Sequence, residues 1–152
     1  MTTTQQPDPF GAPPESTKGP SGPRAKFWIR FGASFLDGVI LLVPYEVLVI
    51  AFGLETGRGL SLLISAAYFT VLEGSSSGQT LGKKLCGIRV IDLRVGGPIG
   101  PGRAFIRWIG RFVSGIVFGL GYLWMLWDKG KQTWHDKMAG SVVVPVSAYP
   151  VG

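Results

Sequence analysis

The sequence predicts an all-α membrane protein with about three transmembrane or membrane-embedded helices and a short β element in a cytoplasmic loop. Charged residues make up only 16% of the 152 residues, well below the ~25% of an average soluble domain. Three segments carry almost no charge, and basic residues collect in the connections between them. A disulfide-stabilised scaffold is excluded because the chain has a single cysteine.

The first 26 residues differ in composition from the rest of the chain. They contain six of the eleven prolines, separated by small and polar residues. Proline fixes φ and removes a backbone donor, so residues 1–26 are predicted to form a disordered proline-rich tail. The tail serves either as a docking segment or only as a solvated extension. A membrane domain at 27–146 and a short C-terminal tail at 147–152 complete the predicted organisation.

The first apolar segment is long enough to cross a bilayer. Residues 31–53 include only two charged side chains, Asp37 and Glu46, and about 20 residues at 1.5 Å each span a ~30 Å hydrocarbon core. The second segment, residues 59–72, and the third, residues 112–127, are shorter uncharged runs. The second is predicted to span with the help of flanking residues. The third is also predicted to span, with a re-entrant helix broken at its glycines as the alternative.

The distribution of charge predicts the orientation in the membrane. Four basic residues lie within residues 1–30, and seven lie within residues 74–111 against one acid. Positively charged loops stay in the cytoplasm. The N-terminus and the long basic loop are therefore predicted inside, and the connection at residues 54–58 outside. This makes the protein a multi-pass protein of the inner (plasma) membrane with a cytoplasmic N-terminus.

Two short stretches favour β structure. Residues 88–93 are rich in Ile and Val and are followed by Gly-Gly-Pro at residues 96–98, which is typical of a turn. Residues 141–146 are also rich in β-branched side chains. We expect these stretches to form a pair of short strands at the membrane surface.

Asp37 lies well inside the first apolar segment, seven residues after Arg30. Seven steps of 100° return to nearly the same helix face, about 10.5 Å deeper in the membrane. An acid near the bilayer centre costs about 2.5 to 3.5 kcal/mol on insertion scales, so it calls for a partner or a function. Two hypotheses follow: a cation or proton site, or a buried salt bridge with a basic residue from another segment.

Three arginines form one basic stripe at the entry to the third segment. Arg103, Arg107 and Arg111 are spaced by four residues, which places them on one face of a helix. The stripe either contacts anionic lipid headgroups or supplies Arg107 or Arg111 as the counter-charge of Asp37.

Two adjacent lysines follow the second apolar segment. Lys83 and Lys84 are expected to contact lipid phosphate, and Arg103 is assigned to the same contact. The surrounding run lacks the Gly-x4-Gly-Lys-Ser/Thr spacing of a phosphate-binding loop. Glu73, at the end of the second segment, is interpreted as marking that end.

The sequence offers little support for an enzyme or a metal protein. His135 is the only histidine, so one chain cannot build a multi-histidine zinc site. A triad of Cys86, His135 and Asp136 is formally available, but Cys86 has apolar neighbours and nothing in the spacing brings the three together. No catalytic residue, metal ligand or cofactor is therefore predicted.

Several motifs in order resemble the RDD family of bacterial membrane proteins, which is named for one arginine and two aspartates. The first motif runs from Arg30 to Asp37 in the stretch RFGASFLD. The remaining motifs are GQTLGK at 78–83, VID at 90–92, the arginines Arg103 and Arg107, and DKGKQTWHDK at 128–137.

The resemblance covers about residues 25–146, and the proline-rich tail is similar to that of actinobacterial members. Asp136 is assigned as the second aspartate of the family name, with Asp128 as the alternative. The resemblance implies a membrane protein for which transport has been suggested, since some members are linked to cation–proton exchange.

Two functions of different classes follow from these observations. The first is transport of a cation or proton through Asp37, with Asp128 and Asp136 able to join it and a homo-oligomer required to enclose a path. The second is a non-catalytic accessory or assembly subunit of a larger membrane complex. The expected partners are the lipid bilayer and its anionic headgroups. Nucleic-acid binding is not predicted, because the basic residues lie where membrane topology requires them.

Overall fold

The computed structural model describes residues 22–117 and 119–150. Two long helices come first, α1 over Phe27–Phe52 and α2 over Leu54–Gly74. Gly53 joins them with a φ of 82°, a left-handed conformation that glycine adopts without steric cost. The chain therefore reverses direction within one residue, and α1 and α2 pack against each other as a hairpin.

Helix α1 confirms the first predicted apolar segment. It runs through Pro44 without interruption, and only Arg30, Ala33 and Asp37 among its 26 residues are buried. Most of its large apolar side chains are exposed. Within the described part of the chain, α1 is the one unbroken helix whose length and composition suit a membrane span.

The second apolar segment extends into its flanking residues as predicted, and the third is broken at its glycines, as the alternative prediction has it. Helix α2 is longer than residues 59–72 but does not combine length and apolar composition as α1 does. Helix α4 covers Gly100–Ile116, and a bend of 110° separates it from the next helical residues, which begin at Leu120. Gly119 stands at the bend with a φ of 74°. The third segment is thus not one straight helix but a broken span or a re-entrant loop.

A two-stranded antiparallel sheet lies beside the helices, as predicted. Strand β1 covers Ile88–Asp92 and pairs with β2 over Ser141–Pro145. Every residue of β1 is buried, so the sheet forms the centre of the hydrophobic core and not a surface ribbon. Residues of α1 and α4 pack onto it through Ala33 and Ala104.

Four short helical elements complete the part of the chain that the structure describes. They are α3 over Leu81–Leu85, α5 over Leu120–Leu123, a 3₁₀ turn over Trp124–Leu126 and α6 over Trp134–Met138. Helix α3 packs on α1, and α6 packs on α4. The GQTLGK motif, which precedes β1, is thereby held against α1, and the DKGKQTWHDK motif, which precedes β2, is held against α4.

Most of the predicted N-terminal tail lies outside the described residues, whereas residues 147–150 of the predicted C-terminal tail lie within them. Residues 1–21 and 151–152 are not described, so the proline-rich tail remains a prediction there. The last residues of the predicted tail belong to the folded domain. Ala25 is buried, and its N–H donates to the carbonyl oxygen of Val143 at 2.9 Å.

Candidate functional site

Asp37 is buried and accepts hydrogen bonds from three neutral donors. The Tyr68 hydroxyl on α2 donates to Oδ1 at 2.7 Å, and the Thr80 hydroxyl donates to Oδ2 at 2.6 Å. The backbone N–H of Gly82 donates to Oδ1 at 2.8 Å. These bonds fill most of the acceptor capacity of the carboxylate and tie α1 to α2 and α3.

The GQTLGK motif needs its second glycine for this contact. A Cβ atom at Gly82 would stand 2.8 Å from Oδ1 of Asp37 and closer still to the carbonyl oxygen of Ala33. Side-chain carbons do not approach oxygen atoms so closely, and both atoms belong to packed α1. Glycine at this position therefore lets α3 lie directly on the helix that carries Asp37.

The expected pairing of Asp37 with Arg107 or Arg111 is not what the structure shows. Both arginines project from α4 toward the C-terminal end of α2, where they bind Glu73. Arg30 also turns away from Asp37 and binds Asp136 on α6. The arginines share one face of α4 as predicted, but that face meets other acids.

Six buried or nearly buried charged side chains form a continuous network, which we call the ionic cluster. Glu73 is fully buried; it accepts from Lys83 Nζ at 2.6 Å, from Arg107 Nε at 3.0 Å and from Arg111 Nη2. Each of the elements α1, α2, α3, α4 and α6 contributes to it. The members are Arg30, Glu73, Lys83, Arg107, Arg111 and Asp136.

Arg107 connects the two acids of the ionic cluster. Its side chain is 1% exposed, and it binds Glu73 through Nε and Asp136 through Nη1. The same Nη1 donates to the Ser141 hydroxyl on β2 at 2.6 Å. A planar guanidinium with several fixed donors is suited to bridge two carboxylates in this way, so Arg107 joins α2, α6 and the sheet.

Asp136 is the acid at the other end of the ionic cluster. Arg30 Nη2 donates to its Oδ2 at 2.5 Å, and the backbone N–H of Thr133 donates to the same oxygen at 3.0 Å. Burial alone would raise the pKa of this carboxyl, but the charges of Arg30 and Arg107 outweigh burial and hold the pKa well below its usual range. Asp136 is thus an ionised acid fixed by two arginines.

A capping box at the start of α6 fixes the conformation of the DKGKQTWHDK motif at 128–137. The Thr133 hydroxyl accepts from the N–H of residue 136, and the Asp136 carboxylate accepts from the N–H of Thr133. Asp128 lies apart from this arrangement and binds exposed Lys137 at 2.5 Å. The structure therefore brings Asp136, and not Asp128, to Arg30.

Two of the three residues assigned to lipid headgroups are engaged inside the protein. Lys83 is 5% exposed and bound to Glu73, so that assignment is wrong. Arg103 binds Asp92 and the carbonyl oxygens of Ala139 and Gly140, which leaves it little freedom to contact lipid. Lys84 is exposed and remains a candidate for the headgroup contact.

Glu73 is the site residue that the sequence reasoning missed. Its position in the sequence indicates only the end of the second segment, yet its carboxylate binds three basic side chains. The available signal was the arginine stripe, because several buried cations on one helix face require an acid from a neighbouring element.

In the described part of the chain, no three His, Cys, Asp or Glu side chains are grouped so that they could hold a metal ion.

The burial of His135 predicts how the stability of the folded protein depends on pH. The ring is 3% exposed. Burial holds the pKa of His135 well below its ordinary value. The nearby arginine charges lower the pKa further, and the Asp136 charge raises it only in part. The unfolded chain binds a proton near pH ~6.5 whereas the folded chain does not, so stability is complete above that pH and falls below it.

We expect the free energy of unfolding in detergent to fall by up to about 1.4 kcal/mol per pH unit between about pH 6.5 and about pH 5.5. Since His135 is the only histidine, chemical unfolding at several pH values isolates its effect. The His135→Gln variant should lose this slope even if its absolute stability is lower. A wild-type stability that is constant over this range would contradict the assignment.

Comparison with known proteins supports a family assignment. The family model described as "RDD family" matches residues 24–140. Uncharacterized protein YckC of Bacillus subtilis (strain 168) is 36% identical over 132 residues, covering 78% of this chain and 83% of the relative. Uncharacterized protein YxaI of the same organism is 27% identical over 147 residues, covering 79% of this chain and 96% of the relative.

A third relative shares only part of its length with this chain. The proline-rich antigen of Mycobacterium leprae (strain TN) is 32% identical over 87 residues, which are 55% of this chain and 35% of that protein. No solved structure matches the chain. The segment that the family model matches, residues 24–140, contains Arg30, Asp37 and Asp136 together with the motifs that surround them. The chain belongs to the RDD family of membrane-associated proteins.

Proposed function

We propose that this protein is a multi-pass inner-membrane protein that exchanges a proton or a cation at Asp37. The observation that carries the proposal is the contrast between Asp37 and the other buried acids. Glu73, Asp92 and Asp136 each bind at least one cationic side chain. Among the described residues, no cationic group lies within 4.0 Å of the Asp37 carboxylate, although it is only 1% exposed.

The partners of Asp37 suit a group that gains and loses a proton. A hydroxyl can donate a hydrogen bond or accept one, so Tyr68 and Thr80 can serve a carboxylate and then a carboxylic acid without large movement. An arginine offers only donors and keeps its acid ionised. The ionic cluster is therefore a fixed support, and Asp37 is the buried acid whose hydroxyl partners can reorient when a proton or cation arrives.

Cavities on both sides of Asp37 along α1 support a route. A cavity of about 450 Å³ lies between α1 and α2 and is lined by Gly38, Tyr45, Ser61 and Ser65 among others. Toward the start of α1, a second cavity is bounded by Ser34 and by members of the ionic cluster. Asp37 falls between these two stretches of α1, with Ser34 at one cavity and Gly38 at the other.

The distribution of charge supports a topology with the ionic cluster near the cytoplasmic face. The basic residues gather before α1 and between α2 and α4, and basic loops remain in the cytoplasm. We expect reporters fused after residue 1 or inserted near Arg94 to read cytoplasmic, and one inserted at residue 56 to read exported. An exported signal at Arg94 would overturn the hairpin topology.

The proposed function is tested by ion flux with purified protein in liposomes. Asp37→Asn removes the exchangeable charge while an amide still offers an acceptor to Gly82 and Tyr68, so the fold should survive and flux should fall by about tenfold or more. Glu46→Gln is the matched control, because Glu46 lies on the same helix and is exposed. Equal flux in wild type and Asp37→Asn would contradict the proposal.

The surface of α1 favours a second candidate, an accessory or assembly subunit without catalytic activity. Only three of the 26 residues of α1 are buried, and most of its large apolar side chains are exposed to lipid or to other helices. Three short membrane segments also enclose no wide pore alone. Absence of flux, together with a stable complex with another membrane protein or a homo-oligomer in mild detergent, would favour this candidate.

A further inference from the structure

The ionic cluster bounds a small cavity toward the start of α1, and the proposed exchange at Asp37 does not account for the charge of its lining. Its volume is about 20 Å³. Two apolar side chains, Ile88 and Val143, close one part of it. Its polar lining is Arg30, Ser34, Lys83, Arg107, Arg111 and His135.

The cavity lies in a region with more positive than negative charge. The ionic cluster holds four cationic side chains against two carboxylates, Glu73 and Asp136. Asp37 contributes one further negative charge nearby, which still leaves a surplus of one cation. His135 adds no further positive charge, because burial holds its pKa well below its ordinary value and keeps the ring neutral. Buried charge without compensation is costly, so this surplus attracts an anion.

One donor at the cavity has no partner. Nη1 of Arg111 is buried and makes no hydrogen bond to any described residue. The same guanidinium is held in place by Glu73 at Nη2 and by the ring of Phe69, which lies 3.8 Å below it. Buried donors are nearly always satisfied by protein, water or an ion, so the fixed Nη1 indicates a missing acceptor.

We propose that the cavity binds one monovalent anion of about the size of chloride. Space of about 10 to 15 Å³ holds one water molecule, and the observed volume is slightly larger. A halide accepts hydrogen bonds from several directions, which suits a cavity lined by arginine, lysine and serine side chains. A phosphate or sulfate is too large for this space. The anion completes the charge balance of the ionic cluster and rigidifies the junction of α1, α2 and α4.

The test measures anion-dependent stability of the full chain in detergent. The protein is purified in sodium gluconate, and chloride is titrated at constant ionic strength while the thermal midpoint is recorded. Binding to the folded state raises the midpoint in a saturable way. We expect chloride and bromide to raise it and sulfate to leave it unchanged, and we expect ³⁵Cl resonance broadening that bromide reverses.

Variants at Arg111 separate this site from general salt effects. Arg111→Lys keeps the charge but removes the orphaned nitrogen, and it should raise the Kd for chloride about tenfold, as expected for one hydrogen bond to an ion. Lys84→Gln is the matched control, since Lys84 is exposed and should leave the Kd unchanged. Equal midpoints in chloride and gluconate, an equal response to sulfate, or an unchanged Kd in Arg111→Lys would overturn the proposal.

Discussion

Replacing Glu73 by Gln is expected to lower the free energy of unfolding by about 3 to 5 kcal/mol, the usual cost of breaking a buried ion pair. Glu73 is completely buried and binds Lys83, Arg107 and Arg111. The amide of Gln keeps the shape of the side chain but removes the charge, so Lys83 and Arg111 lose their counter-charge and Arg107 keeps only Asp136. Denaturant unfolding of the purified protein in detergent measures the loss.

The matched control for this variant is Glu55→Gln on the same helix. The Glu55 side chain is 91% exposed and lies 4.0 Å from Arg58, so its loss should cost less than about 1 kcal/mol. A double variant of Glu73→Gln with Lys83→Met should lose less than the sum of the two single variants, since one uncompensated charge is gone. A cost at Glu73 as small as that at Glu55 would refute the role of the ionic cluster.

The helices and strands of this fold are largely predictable from local patterns. The length of the first apolar segment predicted α1, and the β-branched stretches predicted β1 and β2, because both signals lie within the segment itself. The bend at Gly119 is different. The glycines of the third segment permitted a break, but whether the chain breaks there depends on how α4 packs against α2 and α6.

The partners of the charged residues could not be predicted in the same way. The spacing of four placed Arg107 and Arg111 on one face, which the structure confirms, but a helix face does not say which acid it will meet. Arg30 and Asp136 are separated by 106 positions in the chain, so no local pattern joins them. Glu73 lies at the end of an apolar segment, where an acid is unexceptional. Asp37 stood out because it is costly in an apolar helix, yet its partners are two hydroxyl groups and a backbone N–H, none of which carries a charge.

The second large effect is expected from Asp136→Asn. This change leaves Arg30 and Arg107 facing a neutral amide, and we expect a loss of about 3 to 5 kcal/mol in the free energy of unfolding. The variant keeps an oxygen that can accept from the N–H of Thr133, so the cap of α6 survives and the lost charge accounts for the cost. Unfolding in denaturant, with far-ultraviolet circular dichroism to confirm that helices are retained, measures it.

Asp128→Asn is the matched control for Asp136, because it changes the other candidate aspartate of the same motif. Asp128 pairs with exposed Lys137 at the surface, so we expect a loss of less than about 1 kcal/mol. The same experiment in acid adds an independent check. Arg30 and Arg107 hold the pKa of Asp136 well below its usual range, so its contribution is complete above about pH 4 and is lost as the pH falls further. The pKa of Glu73 is also held well below its usual range, so part of the acid dependence remains in either variant. The acid dependence should be weaker in Asp136→Asn than in Asp128→Asn, whereas the reverse would assign the buried aspartate to Asp128.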